Sequence, residues 1–194
     1  MVADLCFKGV VDDNLVRYAL RLGYRAIAYC GVSSTELVGG VKLVPRYELK
    51  RDDVSKSRNL RGLRVLVVRS KDDLKAYPKL AGSIDAVRID FAQLNEVNKG
   101  FLRRLIGLGV PIEVEFSELV SRLLSSYSLD YYYLILRLYT RKKIRIYVCS
   151  GATDLSSMVH PTAMFALISV LGVPEALAAK AIFKVPSELI SNVA

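Results

Sequence analysis

The chain has 194 residues, 52% of them hydrophobic and 24% charged, with a net charge of +9 and a pI of about 9.5. Such a length and apolar content fit one domain with a sizeable core, with no low-complexity tract, and the longest apolar run, residues 163–173, is too short to span a bilayer. A basic excess of this size points to an anionic partner, nucleic acid ahead of a membrane surface.

An apolar stretch over residues 2–6 predicts the first strand. Asp12 and Asp13 stand where a helix N-cap and first turn favour acids, a helix follows over 15–22, and Gly23 ends it. Residues 26–29 make the next strand, and the glycine-, serine- and threonine-rich stretch 31–40 a loop. The strand over 41–49 contains Pro45, which lacks a ladder N–H and so predicts an edge or bulged strand. Residues 50–61 are polar and basic and read as a flexible loop that orders on binding. A buried strand covers 63–68. Ser70 and Asp73 form a capping-box pattern opening a helix to about residue 80. Then come a strand over 86–90, a helix over 94–108 with Gly109 as its C-cap, and a strand over 111–116 with Glu113 and Glu115 on one face. Ser117 is the expected cap of a helix through 125. A tyrosine-rich helix over 129–140 and a strand over 144–149 lead into a Ser-Gly turn. Three helical segments end the chain, divided at 172–174 and at Pro186.

Seven strands, most of them followed by a helix, imply parallel pairing and right-handed crossovers. The expected fold is a single TIM-like β/α barrel over 1–194, with an open doubly wound sheet as the alternative. The regular barrel has eight such units, so one is missing. Cys6, Cys30 and Cys149 are odd in number and lie in or beside apolar runs, which predicts buried thiols in a reducing cytoplasm rather than a disulfide framework. The N-terminal residues do not read as a signal peptide, so a cytoplasmic location is expected.

The charge is partitioned. Residues 41–71 hold ten of the 28 lysines and arginines with three acids, and residues 137–145 hold five with none. These forty residues carry +12 and the remainder of the chain −3. Arginine outnumbers lysine in both segments, which suits bidentate phosphate contacts. Tyr47, Tyr139 and Tyr147 lie beside the charges and are candidates for stacking on bases. Tyr131, Tyr132 and Tyr133 fit packing or a protein contact better.

Catalytic chemistry is sparse. A metal hydrolase on such a barrel needs several His, Asp and Glu ligands at strand ends, and this chain has one histidine. Where such an enzyme offers a His-x-His pair on its first strand, Cys6 and Lys8 stand instead. Asp4, Asp90, Glu113 and Glu115 remain as carboxylates able to take magnesium or, equally, to pair with arginines. Ser150, His160 and Asp154 are the candidates for a nucleophilic triad, without a nucleophile elbow around them. His160, before a helix-opening proline, reads as a surface or capping residue. Cys149, at the end of a buried strand, reads as inert. No phosphate-binding glycine loop is present.

The C-terminal block combines a strand, a Ser150-Gly151-Ala152 turn, a helix opening at Pro161, Leu167 and Leu171-Gly172, Ala176 and Ala179 with Ile182, and Pro186 with Ile190 and Asn192. With Asp4-Leu5, Asp85, Val87 and the run from Pro111 to Ser117, it resembles the ribonuclease P protein component 3 family, most specifically over 111–192 but across nearly the whole chain. That resemblance implies a barrel of the polymerase-and-histidinol-phosphatase kind serving a complex that removes the 5′ leader from precursor tRNA. It implies that the RNA subunit does the chemistry with its own bound magnesium, so that the chain itself carries no cofactor. It also implies pairing with protein component 2 in a two-plus-two assembly, beside other ribonuclease P proteins. The family commonly has arginine before the proline at 161; His160 departs from this, so an RNA contact at that position is not carried over.

The expected function is therefore RNA binding within a tRNA-processing endoribonuclease, by a chain with no catalytic or metal-binding residues of its own and no membrane partner. The expected RNA-binding residues are Lys42, Arg46, Arg64, Arg69, Arg88, Arg122, Arg141, Lys142, Lys143 and Arg145. The competing readings are a metal-dependent phosphoesterase of the related superfamily and a barrel that binds a phosphorylated metabolite.

Overall fold

A computed structural model of the chain describes residues 1–74, 82–94, 98–125 and 129–193. The strands are β1 (Ala3–Phe7), β2 (Ala26–Tyr29), β3 (Glu36–Val38), β4 (Val41–Leu49), β5 (Leu63–Val68), β6 (Ala86–Ile89), β7 (Ile112–Glu115) and β8 (Ile146–Cys149). The helices are α1 (Asp13–Arg21), α2 (Lys99–Gly107), α3 (Phe116–Leu124), α4 (Asp130–Thr140), α5 (Pro161–Val170), α6 (Glu175–Ala179) and α7 (Val185–Val193). Seven strands run parallel in the order β1-β2-β4-β5-β6-β7-β8 and curl into a nearly closed barrel, as expected. The short β3 pairs antiparallel with β4.

Alternation along the strands sorts the residues. Ala3, Leu5, Ala26, Ala28, Val44, Leu63, Val65, Ala86, Tyr147 and Cys149 form one buried cluster inside the barrel, and Val185, Leu189 and Ile190 of α7 pack onto it. Residues of opposite parity, such as Ile27, Leu66, Val87, Ile112 and Val148, meet the outer helices in the larger cluster. The interior alanines leave room for the large Arg46 and Tyr147. By its contacts with β1, β5 and β8, α7 closes the end where the strands begin.

No ladder joins β8 to β1 among the described residues; side chains and loops close that seam instead. Lys8 N–H donates to the Ala152 carbonyl at 2.8 Å, Ser150 N–H to Asp4 Oδ1 at 2.9 Å and Gly151 N–H to Cys6 Sγ at 3.0 Å. Ser150 Oγ also donates to Asp4 Oδ2. The Cys6–Cys149 disulfide staples the two strands across a sequence separation of 143.

This corrects the expectation of unpaired buried thiols. Both sulfurs belong to residues with no exposure, so a solution thiolate has no path to them. Cys30, also expected buried, is exposed and free.

Other departures are local. Pro45 sits in an internal strand, not an edge. β4 pairs with β2 over Lys42 to Pro45 and with β5 over Arg46 to Leu49, so the proline lies at the handover between neighbours. Residues Arg51–Asn59 form 3-10 turns anchored by buried Val54 and Ser57, not a flexible loop. α2 starts at Lys99, later than the expected 94, because the Asn98 side chain accepts from Phe101 N–H at 2.9 Å. β7 runs directly into α3, so Ser117 falls inside the helix: its N–H donates to the Ser150 carbonyl at 3.0 Å and its hydroxyl to that of Gly151 at 3.2 Å. The Asp73 carboxylate reaches back to Ser70 N–H at 2.8 Å as a capping box should; the body of the expected helix to residue 80 falls mostly outside the described residues.

Candidate nucleic-acid interface

Barrel enzymes place their chemistry at the carboxyl ends of the strands. Here that end opens into a pocket of about 870 Å³ lined by Lys8, Arg88, Asp90, Phe91, Glu115, Ser117, Glu118 and Arg122, among others. An ion-pair chain runs from the interior to its floor. Arg46, 3% exposed, grips Glu113 with two bonds of 2.7 and 2.9 Å, donates to the Leu5 carbonyl at 2.6 Å and reaches Glu48 at 3.0 Å. Tyr147 donates to the same Glu113 Oε2 that Arg46 Nη1 holds. Arg88 joins Glu48 at 2.9 Å to Glu115 at 3.0 Å, and Lys8 closes the chain on Glu115.

The electrostatics agree with this pairing. Burial opposes the Arg46 cation, but Glu113 and Glu48 outweigh it and push its pKa well up. Burial, with Glu113 beside it, drives the Tyr147 phenol well above its ordinary range, which keeps it a donor. Burial raises Glu48 while Arg46 and Arg88 more than reverse this, leaving it below its usual range. Glu115 is pushed up by burial and by Glu113, against Lys8 and Arg88.

A divalent ion does not fit this donor set. Glu113 and Glu115 are each held by two partners, and Asp90 faces Arg69 at 3.8 Å, so an entering ion would have to displace a guanidinium or an ammonium. Asp4, Cys6 and Cys149 are the other ligand-type cluster among the described residues, but its sulfurs are joined to each other. Full burial drives the Asp4 carboxyl above its ordinary range, against the Ser150 hydrogen bonds that lower it.

No triad forms either. Ser150 is buried against Asp4, Asp154 is occupied by the Ser156 and Ser157 hydroxyls at 2.7 and 2.9 Å, and His160 caps α5, its Nδ1 accepting from Thr162 N–H at 3.1 Å. That cap needs an unprotonated Nδ1, which a cationic histidine cannot offer.

The ten expected RNA-binding residues divide by end of the barrel. Arg46 is corrected outright: it is buried in the chain of ion pairs and faces no solvent. Arg69, Arg88 and Arg122 lie at the mouth, and Arg122 pairs with Glu118 at 3.1 Å. Lys42, Arg64, Arg141, Lys142, Lys143 and Arg145 lie at the opposite end, where the strands begin. Arg64 is bidentate on Asp85 at 2.8 and 2.9 Å, and Arg145 meets Glu188 at 2.8 Å. Among the described residues Lys42, Arg141, Lys142 and Lys143 form no ion pair, and the last three are exposed.

Lys142 has a φ of +56°, the one non-glycine residue with positive φ among those described. A left-handed turn that glycine would fill at less cost holds a cation instead, at about 1–2 kcal/mol.

Three further arginines join this base through the loops entering β2 and β5: Arg58 and Arg61, which belong to the basic segment 41–71 but not to the ten expected residues, and Arg25, which sequence reasoning missed. Their signal was position: each lies just before a strand or in the turn leading to one. Two of the tyrosines expected to stack on bases are instead core: Tyr147 is buried in the barrel, and Tyr139 is buried with its hydroxyl on the Leu177 carbonyl at 2.7 Å. Tyr47 is half-buried against the core. The packing reading of the tyrosine run holds for Tyr131 and Tyr132, whose rings lie 5.5 and 4.9 Å from Phe91.

The fold and its two ends define an α/β barrel whose inward-facing mouth carboxylates are paired within the chain and whose base carries exposed cations. No protein-family model matches the chain, and no curated protein matches it in sequence. By structure it is similar to a chain in the cryo-EM structure of archaeal ribonuclease P with mature tRNA. The TM-score is 0.74 at 13% identity, over 96% of this chain and 91% of that one. It is also similar to an uncharacterized protein in a crystal structure, with a TM-score of 0.66 at 7% identity over 98% and 75%. At these identities the likeness establishes the fold. No helix among the described residues is long and apolar enough to cross a membrane.

Proposed function

We propose that this chain is an RNA-binding, non-catalytic barrel subunit of a ribonuclease P ribonucleoprotein, acting in 5′ maturation of precursor tRNA in the cytoplasm. The observation that carries the reading is how the cations are used: Glu48, Glu113 and Glu115 inside the mouth are paired with Arg46, Arg88 and Lys8, while Arg141, Lys142 and Lys143 stand exposed at the base without an ion pair among the described residues. The barrel-wide likeness to a chain of archaeal ribonuclease P supplies the setting.

In this reading the base cations neutralise phosphates of the folded RNA, and recognition follows RNA shape rather than base identity. The RNA contributes the catalytic magnesium. Leu124, Tyr133 and Val170 are exposed apolar residues on three successive helices, and in this reading a protein partner of the component 2 kind covers them.

The test is activity with and without the complex. The purified chain should show no metal-supported phosphatase activity alone, and should raise precursor-tRNA cleavage when added to the remaining subunits. Metal-dependent activity of the chain alone, abolished by Asp4→Ala, would establish the phosphoesterase reading instead.

A further inference from the structure

A second cavity, of about 710 Å³, lies away from the mouth, in the notch where β3 stops and β5 begins along β4. Its lining includes Arg58, Arg61 and Arg64 with Ser33, Ser34, Thr35 and Asn192, and no acidic residue, although the Ser34 hydroxyl donates to the neighbouring Glu36 carboxylate at 3.4 Å. Two of the three arginines are held in place from behind. Arg64 is locked by the Asp85 fork, with Nε at 2.9 Å and Nη2 at 2.8 Å. Arg58 Nε donates to Ser83 Oγ at 3.2 Å, and Ser83 is itself tied to buried Ser57 through its carbonyl at 3.1 Å. Arg61 forms no ion pair among the described residues and is exposed. The turn carrying it runs close against β4 and requires glycine at 62, where a Cβ would lie 2.4 Å from the Pro45 carbonyl oxygen at a φ of +149°.

We infer that this notch is a seat for the phosphodiester backbone of RNA. The inference rests on the RNA-binding reading above and locates one contact surface within it. Arg61 has its whole guanidinium free for phosphate oxygens, and the N–H groups that Arg58 and Arg64 do not spend on Ser83 and Asp85 are held in place and lose little freedom on binding. The neighbouring serine and threonine hydroxyls suit the remaining phosphate and ribose oxygens, the usual partners of such side chains on a nucleic-acid backbone. No aromatic side chain lines the notch, so it has no platform for a stacked base. It therefore takes backbone, without reading sequence, and makes a poor site for a free nucleotide whose base needs a surface.

The experiment uses the full chain, a labelled structured RNA and three proteins: wild type, Arg61→Glu, and Lys142→Glu/Lys143→Glu. Arg61 is exposed and unpaired, so melting curves should coincide with wild type; Arg61→Gln repeats the measurement without an added negative charge. Arg61→Glu is expected to weaken RNA binding about ten-fold and to lower the salt slope by about 1. If only the Lys142/Lys143 variant weakens binding, the notch inference is overturned while the RNA reading stands. Should neither variant weaken it, both fall. Calorimetric titration with inorganic phosphate or adenosine monophosphate forms the other arm. Saturable binding of either below millimolar, lost in Arg61→Glu, would assign the notch to a small phosphate ligand and overturn the proposal.

Discussion

The two ends of the barrel use the same residue types to opposite effect. At the mouth, Lys8, Arg69, Arg88 and Arg122 each meet a carboxylate within ion-pair distance. At the base, Lys42, Arg61, Arg141, Lys142 and Lys143 meet none among the described residues, and the acids there, Asp85 and Glu188, are taken by Arg64 and Arg145. Guanidiniums turned inward on buried carboxylates hold a polar barrel together. Cations left in water attract phosphate. Barrel enzymes reverse this, keeping chemistry at the mouth and structure at the base. Where a cation's partner lies decides its role, and composition alone does not reveal it.

The largest expected effect breaks the mouth. Arg46→Ala leaves Glu113 buried with no cation and should cost about 3–5 kcal/mol in urea unfolding. Lys143→Ala at the base should change stability by less than about 0.5 kcal/mol. Equal effects would erase the distinction between the ends.

Next comes the seam, which belongs to neither end. Cys6→Ser should lower stability by about 2–4 kcal/mol. Unfolded without reductant, the chain should present one reactive thiol, Cys30, to a thiol reagent, and three once it is also reduced. Three thiols in the unfolded, unreduced protein would mean that the strands are joined by packing alone.

A smaller effect probes the interior. Burial raises the Asp4 carboxyl above its ordinary 3.8. As pH rises, the unfolded chain therefore loses this proton first, and stability falls through the carboxylate range. Asp4→Asn should gain on the order of 1 kcal/mol at pH 7, with the gain fading as pH drops below about 4. Melting temperatures of both proteins across that range would show it. A gain independent of pH would place the cause elsewhere.

Much of the barrel was legible because buried parallel strands read as apolar runs and helices as caps plus period. Seven parallel strands followed from that, as did the inward pair Glu113 and Glu115. The site was legible only as charge. Arg46 and Lys42 lie four residues apart on β4 and so share a face, yet Arg46, in the middle of the strand, is sealed inside while Lys42, beside its first residue, stands at the rim; depth along the strand distinguishes them, and that is known only once the barrel is assembled. Cys6 and Cys149 are distant in sequence and meet only because the first and last strands close on each other. Pro45 misled for a related reason: an internal strand tolerates proline where one neighbour hands over to the next.

The central claim, that the base and not the mouth holds RNA, is met most directly by comparing two charge reversals in a salt titration. Lys142→Glu/Lys143→Glu at the base and Arg69→Glu at the mouth would be measured against wild type with one structured RNA. The account expects the base variant to lose at least about ten-fold in affinity and to flatten the plot of log affinity against log salt by about 2, with the mouth variant close to wild type. A mouth variant that loses more than the base variant, or a wild-type affinity indifferent to salt, would contradict it.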